Sequence, residues 1–206
     1  MLYRRFITGI FAAIILFTVA DAAYARKIPT ALCGKVYLRS GDSIVADGTT
    51  RIVPPVKNKK LEIIENAYTR QSKVGDKIAP ESVDSVVLWV PTAPERPHTL
   101  RYVDDYGWCW EVDGNPWLTV YCFTPKGYFF AGNGGVWLRG NGEMIVVKDG
   151  ITYNFGRADK KVSDKTRRRL EELVADDTEL TTYIRNARGR CDKIVRSLGQ
   201  YHPDNK

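Results

Sequence analysis

The sequence predicts an α+β protein, an antiparallel β roll or barrel followed by short C-terminal helices. Three observations carry that reading. Residues 33–157 are a succession of short β-branched and aromatic runs separated by turn residues, the pattern of many antiparallel strands. From Ser163 onward the apolar spacing changes to the three-and-four period of helices. Ahead of both, residues 1–25 have the composition of a removable export signal rather than of a folded element.

The export signal has its three parts in order: Met1-Leu2-Tyr3-Arg4-Arg5 as a charged start, an apolar run over 6–20 broken only by Thr8, Gly9 and Thr18, and Ala23-Tyr24-Ala25 as a small-residue cleavage site. The run falls short of the ~20 apolar residues that a stable crossing needs. Cleavage after Ala25 is therefore expected, sending the chain to the periplasm, the cell surface or the medium with no transmembrane segment left. An uncleaved anchor or a buried N-terminal helix is the alternative. No cysteine lies at the cleavage site to carry a lipid anchor. Residues 26–206 suffice for one domain with a real core, divided into a β-rich region over 26–157 and a helical region over 158–206 packed on it.

Of 206 residues, 31 are Lys or Arg and 24 Asp or Glu, a net charge of +7 that becomes +6 when Arg4, Arg5 and Asp21 leave with the signal. Inside a cell that balance would point to nucleic acid. Export disfavours nucleic acid and makes anionic envelope polymers and lipid head groups the natural counter-charges.

The strands are read in order. Residues 34–40 and 43–46 flank Gly41-Asp42, a hairpin signal. Residues 51–56 and 61–69 flank Lys57-Asn58-Lys59-Lys60, whose lysines keep the turn solvated. Residues 81–90 end in a segment with Pro91, Pro94 and Pro97, expected to be extended and unable to sit in a central strand. Residues 98–103, 108–112, 117–123, 128–131, 135–139, 144–148 and 152–155 continue the meander. Their spacers Asn133-Gly134, Asn141-Gly142 and Asp149-Gly150 tolerate positive φ.

Ser163 or Asp164 can cap a helix that gathers Thr166, Leu170, Leu173 and Val174 on one face, with Arg167, Arg168, Arg169, Glu171 and Glu172 mostly outward. A second helix starts near Asp177-Thr178 and presents Leu180, Tyr183, Ile184 and Ala187. After Gly189, residues Cys191, Ile194, Val195 and Leu198 make a third short face that ends at Gly199.

The strings Gly34-Lys35-Val36-Tyr37-Leu38, Gly41-Asp42-Ser43-Ile44 and Ile78-Ala79-Pro80-Glu81-Ser82-Val83-Asp84-Ser85-Val86 resemble uncharacterised exported β-rich proteins of Bacteroides-type bacteria. The resemblance covers most of the mature length. It implies a localisation and a fold class, and it implies no reaction and no site residues.

Cys33, Cys109, Cys122 and Cys191 all lie in the mature part, an even count that permits disulfides in an exported chain. If 108–112 and 117–123 pair around Asp113-Gly114-Asn115-Pro116, Cys109 and Cys122 fall nearly opposite each other and form a possible bridge. Cys33 and Cys191 are then left for a second one. Buried free thiols are the alternative.

Tyr106-Gly107-Trp108-Cys109-Trp110 resembles the nucleophile segment of transglutaminases and, more distantly, of papain-like enzymes. In those families the cysteine opens a helix and a histidine takes its proton. Here the nearby turn places Cys109 in a strand, Trp108 stands where transglutaminases carry an oxyanion-hole glutamine, and the only histidines are His98 and His202. A Cys109–His98 or Cys109–His202 dyad is thus a weaker alternative to a structural cysteine.

Nothing has the close ligand spacing of a zinc site, and no cofactor or metal is implied. Asp104-Asp105 and Asp113-Gly114-Asn115 could offer oxygens to calcium, but ordinary turn chemistry explains them. Asp104, Asp105, Glu111 and Asp113 are the carboxylates interleaved with aromatics, as a glycosidase would need, yet sequence spacing fixes no separation between them. Tyr106, Trp108, Trp110 and Val112 are expected to share one strand face, and Trp117, Thr119, Tyr121 and Phe123 one face of the partner, with Tyr128, Phe129, Phe130 and Trp137 close by. Turned inward, that face is core. Turned outward, Trp108, Trp110, Trp117, Tyr121 and Trp137 would form a platform for sugar rings or an apolar patch of an envelope protein. Lys160-Lys161, Arg167-Arg168-Arg169, Arg185, Arg188, Arg190 and Arg196 could hold phosphates, although the interspersed acids make a mixed, solvated helical surface the default. The reading that results is an exported binding or envelope-associated module, with a Cys109-dependent hydrolase or transferase and a purely structural envelope component as alternatives.

Overall fold

The computed structural model describes residues 31–69 and 71–204. The export signal over 1–25 lies outside them.

Thirteen strands come first: β1 (Cys33–Leu38), β2 (Ser43–Ala46), β3 (Arg51–Val53), β4 (Leu61–Glu65), β5 (Lys73–Ile78), β6 (Val83–Val90), β7 (Ala93–Val103), β8 (Gly107–Gly114), β9 (Leu118–Phe123), β10 (Tyr128–Phe130), β11 (Val136–Leu138), β12 (Glu143–Lys148) and β13 (Ile151–Arg157). Three helices follow, α1 (Asp164–Leu173), α2 (Thr178–Asn186) and α3 (Cys191–Arg196), and a 3-10 turn over Ser197–Gln200 closes the chain. The β-rich, antiparallel character and the three late helices are as the sequence predicts. The roll or barrel gives way to an open eight-stranded sheet in the order β13-β12-β9-β8-β7-β6-β1-β2, with β13 and β2 at its edges, plus a three-stranded sheet β3-β4-β5 and the hairpin β10-β11.

Register explains where the core sits. Val36, Val86, Leu100, Trp110, Cys122 and Met144 stand opposite one another from strand to strand and mark the covered face of the large sheet. Over β9, β12 and β13 this face is capped by the helices, through Leu170, Leu173, Leu180, Ile184, Ile194, Val195 and Leu198. Over β1, β6, β7 and β8 it is capped by the two small sheets, through Ile52, Leu61, Tyr128 and Phe130. Trp110 packs against both halves. The opposite face carries a smaller cluster of Val103, Cys109, Tyr121 and Ile145.

The helix starts follow the capping chemistry. Ser163 accepts the Thr166 N–H and Asp177 accepts the Leu180 N–H, each satisfying a backbone donor that the first turn leaves free. Arg167, expected to face outward, turns inward instead: its guanidinium donates to the carbonyls of Ile184 (2.8 Å) and Ala187 (2.5 Å) and so ties α1 to the end of α2. Lys148 Nζ donates to Tyr201 Oη (2.7 Å), and that hydroxyl donates to the Asp176 carboxylate (2.7 Å), fastening the C-terminal segment to β12.

Two further expectations change. Pro94 and Pro97 lie inside β7, a strand of the large sheet. Pairing with β8 begins only at Leu100, and the β6 ladder steps from Ala93 to His98 across a register shift, so both prolines lie in a bulged stretch with no ladder partner on either side. Their missing N–H groups are tolerated at such a bulge. Strand β5 (Lys-Val-Gly-Asp-Lys-Ile) has no apolar alternation to announce it, and its pairing with β4 forms it.

Candidate functional site

The most distinctive concavity lies between the β3-β4-β5 sheet and the β10–β11 hairpin. It is a cleft of about 480 Å³ walled by Pro54, Pro55, Val56, Lys59 and Lys60 on one side and by Lys126, Tyr128 and Arg139 on the other, with Glu62 and Lys77 at its end.

Local chemistry builds each wall. Pro54-Pro55 follows β3 and holds the chain extended, after which Lys57 takes a left-handed φ of 52° to turn it. The turn is fixed from below. Trp108 donates its backbone N–H to Lys57 O (3.0 Å) and its indole N–H to Lys59 O (2.9 Å). Gly107, at φ +95°, lets this approach occur, because a Cβ there would collide with the Lys57 carbonyl. On the far wall, Arg139 N donates to Gly127 O (2.9 Å) and Thr124 Oγ1 donates to Arg139 O (2.9 Å), so the base of the hairpin is pinned.

Tyr128 is the floor. Its hydroxyl accepts the Trp110 N–H (3.0 Å) and donates to Cys122 O (2.7 Å), which joins the hairpin to β8 and β9. Burial pushes the phenol well above its ordinary pKa, so it stays a neutral donor. The electrostatics are one-sided. Lys77 pairs with Glu62 at 2.9 Å. Among the described residues, no carboxylate lies within ion-pair distance of Lys59, Lys60, Lys126 or Arg139. Four cations around one concave surface make a positive potential focused by apolar walls.

The predicted aromatic platform divides. Trp108 is fully buried and Tyr121 nearly so, on opposite faces of the sheet. Trp110 is half-buried between the two core halves, and Trp117 packs edge-on against Tyr201 and His202. Only Trp137 is outward, 66% exposed, and it stands directly opposite Phe129, 47% exposed. The platform that survives is therefore this pair on the outer face of the β10–β11 hairpin.

The cysteine pairing is corrected. All four cysteines are free and buried. Trp110, not Cys109, stands opposite Cys122, so successive residues of β8 put the Cys109 sulfur on the other side of the sheet from Cys122. Burial pushes the Cys109 thiol far up, Cys122 to about 12 and Cys191 to about 11.

No dyad forms around Cys109. His98, two residues before Leu100, shares the covered face with Trp110 and Phe130, and donates from Nε2 to Gly134 O (2.6 Å). His202 sits at 4.8 Å from the Trp117 ring, near the C-terminal end. A buried thiol with a raised pKa and no imidazole on its own face has none of the features of an activated nucleophile.

The carboxylates are absorbed by structure. Glu111 pairs with Arg101 (2.9 Å), Asp113 Oδ1 accepts the Gly114 N–H (2.9 Å), and Asp105 occupies a left-handed position in the β7–β8 turn. Among the described residues, no group of three or more His, Cys, Asp or Glu side chains could hold a metal ion, and no helix is long and apolar enough to cross a membrane. In the basic helical segment, Arg185 pairs with Glu171 and Arg190 with Asp192, which is the mixed surface expected.

The cleft escaped sequence reading because its cations come from separate segments. Lys59 and Arg139 are far apart in the chain, and Lys57-Asn58-Lys59-Lys60 looks by itself like any solvated turn. Comparison of the chain with protein families, with curated proteins and with solved structures finds no match in any of the three.

Proposed function

We propose that this chain is an exported, non-enzymatic binding module that seats an anionic ligand in the cleft between the β3-β4-β5 sheet and the β10–β11 hairpin. One observation carries the reading: Lys59, Lys60, Lys126 and Arg139 surround a pre-formed concavity without carboxylate partners among the described residues. Surface cations are ordinarily interspersed with acids, as they are on the helices here. A cluster left uncompensated around a concave surface is arranged for a negative guest. The buried, imidazole-free setting of Cys109 supports binding over thiol catalysis. Export rests on the sequence pattern of residues 1–25, and the resemblance to uncharacterised exported β-rich proteins on residues 34–38, 41–44 and 78–86.

The test is calorimetric titration with tripolyphosphate as a probe across a salt series. Affinity is expected to fall steeply with salt, and Lys59→Glu with Lys126→Glu together to weaken binding at least about tenfold. Salt-independent binding, or binding unchanged by the double reversal, removes the cleft as the site. A mature chain that starts at Arg26 supports export, and one that retains Met1 in the cell overturns it.

A further inference from the structure

We infer that the cleft takes an amphipathic organic phosphate, with its phosphate group among Lys59, Lys60, Lys126 and Arg139 and its apolar body against Val53, Pro54, Pro55 and Val56. This rests on the cleft being the anion site and names the class of anion it selects.

The lining has two parts. Lys59, Lys60, Lys126 and Arg139 are exposed and form the rim. The wall beside them is the unbroken run Val53-Pro54-Pro55-Val56, in which Pro55 is buried and the other three are half-buried. That wall brings no side-chain donor, and its two prolines lack even the backbone N–H. Tyr128, on the other side, has a single hydroxyl proton, and Cys122 O takes it at 2.7 Å. The carbonyls of the lysine turn are engaged as well: Val56 O accepts from Lys59 N (3.1 Å), Lys57 O from Trp108 N (3.0 Å) and Lys59 O from the Trp108 indole (2.9 Å). A guest that is hydrophilic on every side would give up water against such a wall with nothing to replace it. A guest with an apolar body gains from the same contact.

The charge at the rim comes from two sides. Lys59 and Lys60 follow the apolar run, whereas Lys126 and Arg139 belong to the base of the hairpin. The stem of Lys126 lies along Gly140, where a Cβ would meet its Cδ at 3.2 Å, so this lysine runs beside the residue that follows Arg139. Glu62 also lines the cleft, but Lys77 neutralises it at 2.9 Å. A phosphate monoester carries a charge of about −1.5 to −2 at neutral pH and three strong acceptor oxygens, which answers cations on both sides. A carboxylate offers one charge and two oxygens.

Shape limits the guest to a small molecule. Gly127, at φ +79°, stands so close to Val56 that a Cβ there would come within 2.8 Å of a valine methyl, and the two walls therefore meet at that point. The volume of about 480 Å³ lies within the ~300–1,000 Å³ of small-ligand sites. One amphiphile fits such a space with its body against the wall and its head at the rim.

The experiment titrates the full mature chain with butyl, hexyl and octyl phosphate as monomers, and with octanoate, octyl glucoside and tripolyphosphate as references. Affinity is expected to rise about threefold for each added methylene of the phosphate series. Octanoate is expected to bind at least about tenfold more weakly than octyl phosphate, and octyl glucoside not to bind. Val53→Thr with Val56→Thr, which keeps the β-branched shape, is expected to flatten the chain-length dependence and to leave tripolyphosphate affinity within about twofold, the latter also reporting an intact fold. If the unaltered chain shows no length dependence, while Lys59→Glu with Lys126→Glu still weakens tripolyphosphate binding, the amphipathic assignment is wrong and the anion cleft stands. A length dependence retained in the folded threonine variant overturns it too, and octanoate binding as tightly as octyl phosphate overturns the choice of phosphate. Sedimentation with phosphatidylcholine vesicles that contain phosphatidate separates the free amphiphile from a bilayer surface: vesicle binding without octyl phosphate binding means that the assignment is wrong. If the double reversal changes no affinity at all, the cleft reading fails with it.

Discussion

The indole N–H of Trp108 donates to the carbonyl of Lys59 at 2.9 Å, joining a fully buried side chain of the large sheet to the lysine turn that rims the cleft. The contact gives Trp108 a different role from either of those its sequence context offers. It is neither a stacking surface for ligand nor a stand-in for an oxyanion donor. It is the anchor that holds Lys59 and Lys60 in place.

Trp108→Phe therefore has two expected effects. The Lys59 carbonyl loses its donor and the core loses part of an indole, together costing about 2–4 kcal/mol of stability. Because the turn is released, affinity for tripolyphosphate should fall although no charge has been removed. Chemical denaturation and calorimetry on the same variant read both. A stability loss with unchanged affinity would show that the turn holds its shape without Trp108.

Gly107→Ala tests the same junction from the backbone. A methyl at φ +95° is strained, and here it also meets the Lys57 carbonyl, a backbone atom that cannot swing aside. The expected cost is about 2–4 kcal/mol. Gly41→Ala, at the same φ of +95° but with open space around the new methyl, isolates the strain alone and should cost distinctly less. Equal losses in the two thermal melts would mean that the contact with Lys57 contributes nothing.

Asn115 fastens the β8–β9 turn to the end of the chain. Its Oδ1 accepts from Trp117 N (2.9 Å) and Leu118 N (3.0 Å), while Nδ2 donates to the carbonyls of Leu198, Gly199 and Tyr201 at 3.1–3.3 Å. Asn115→Ala should cost about 1–3 kcal/mol. Asn115→Asp should cost more at neutral pH, since it sets a negative oxygen against three carbonyl oxygens. That carboxyl's pKa is raised by folding, so the deficit is expected to shrink on acidification and to be complete once pH exceeds the folded value. A deficit of Asn115→Asp that is flat between pH 3 and pH 7 argues against the contact.

The cysteines give a pH signature. Cys122 titrates at about 12 and Cys191 at about 11 in the folded chain, against 9.0 when free of the fold. Their protonated forms therefore contribute stability that is fully present below pH 9 and is lost as pH rises from there through the folded values, because the unfolded chain releases the protons first. Each thiol steepens the loss by at most about 1.4 kcal/mol per pH unit in that window. Melting temperature should decline across pH 9 to 11, and Cys122→Ser should flatten that decline. In the native protein, thiol labelling should be slow at pH 8 and should reach four groups per chain only after unfolding. Rapid labelling of one cysteine would contradict the burial of all four.

Much of the architecture was legible in the chain because it rests on local rules. Short-range turn chemistry placed the hairpin of β1 and β2 around Gly41-Asp42, and Ser163 and Asp177 marked the helix starts they cap. What local rules could not supply was partner and register. Cys109 and Cys122 looked opposed from their distance to the turn, but the pairing of Trp110 with Cys122 reverses the side on which Cys109 lies, since one residue of register moves a side chain to the other face. Pro94 and Pro97 looked incompatible with a central strand until the register shift between β6 and β7, together with the late onset of β7–β8 pairing, left them without ladder partners. Likewise Arg167, outward by helical periodicity, found carbonyls at the end of α2 that periodicity does not know about.

By itself, then, the sequence determined the antiparallel β-rich class, the change to helices after Ser163, the caps and the excess of positive charge, all consequences of side-chain spacing and of residues read within a few positions of one another. Only the tertiary structure decided that the sheet is open, which aromatics are core, and where the charge collects. Lys59, Lys126 and Arg139 come from segments that local chemistry treats as independent, and it is the packing of the β10–β11 hairpin beside the β3-β4-β5 sheet that brings them around one cleft.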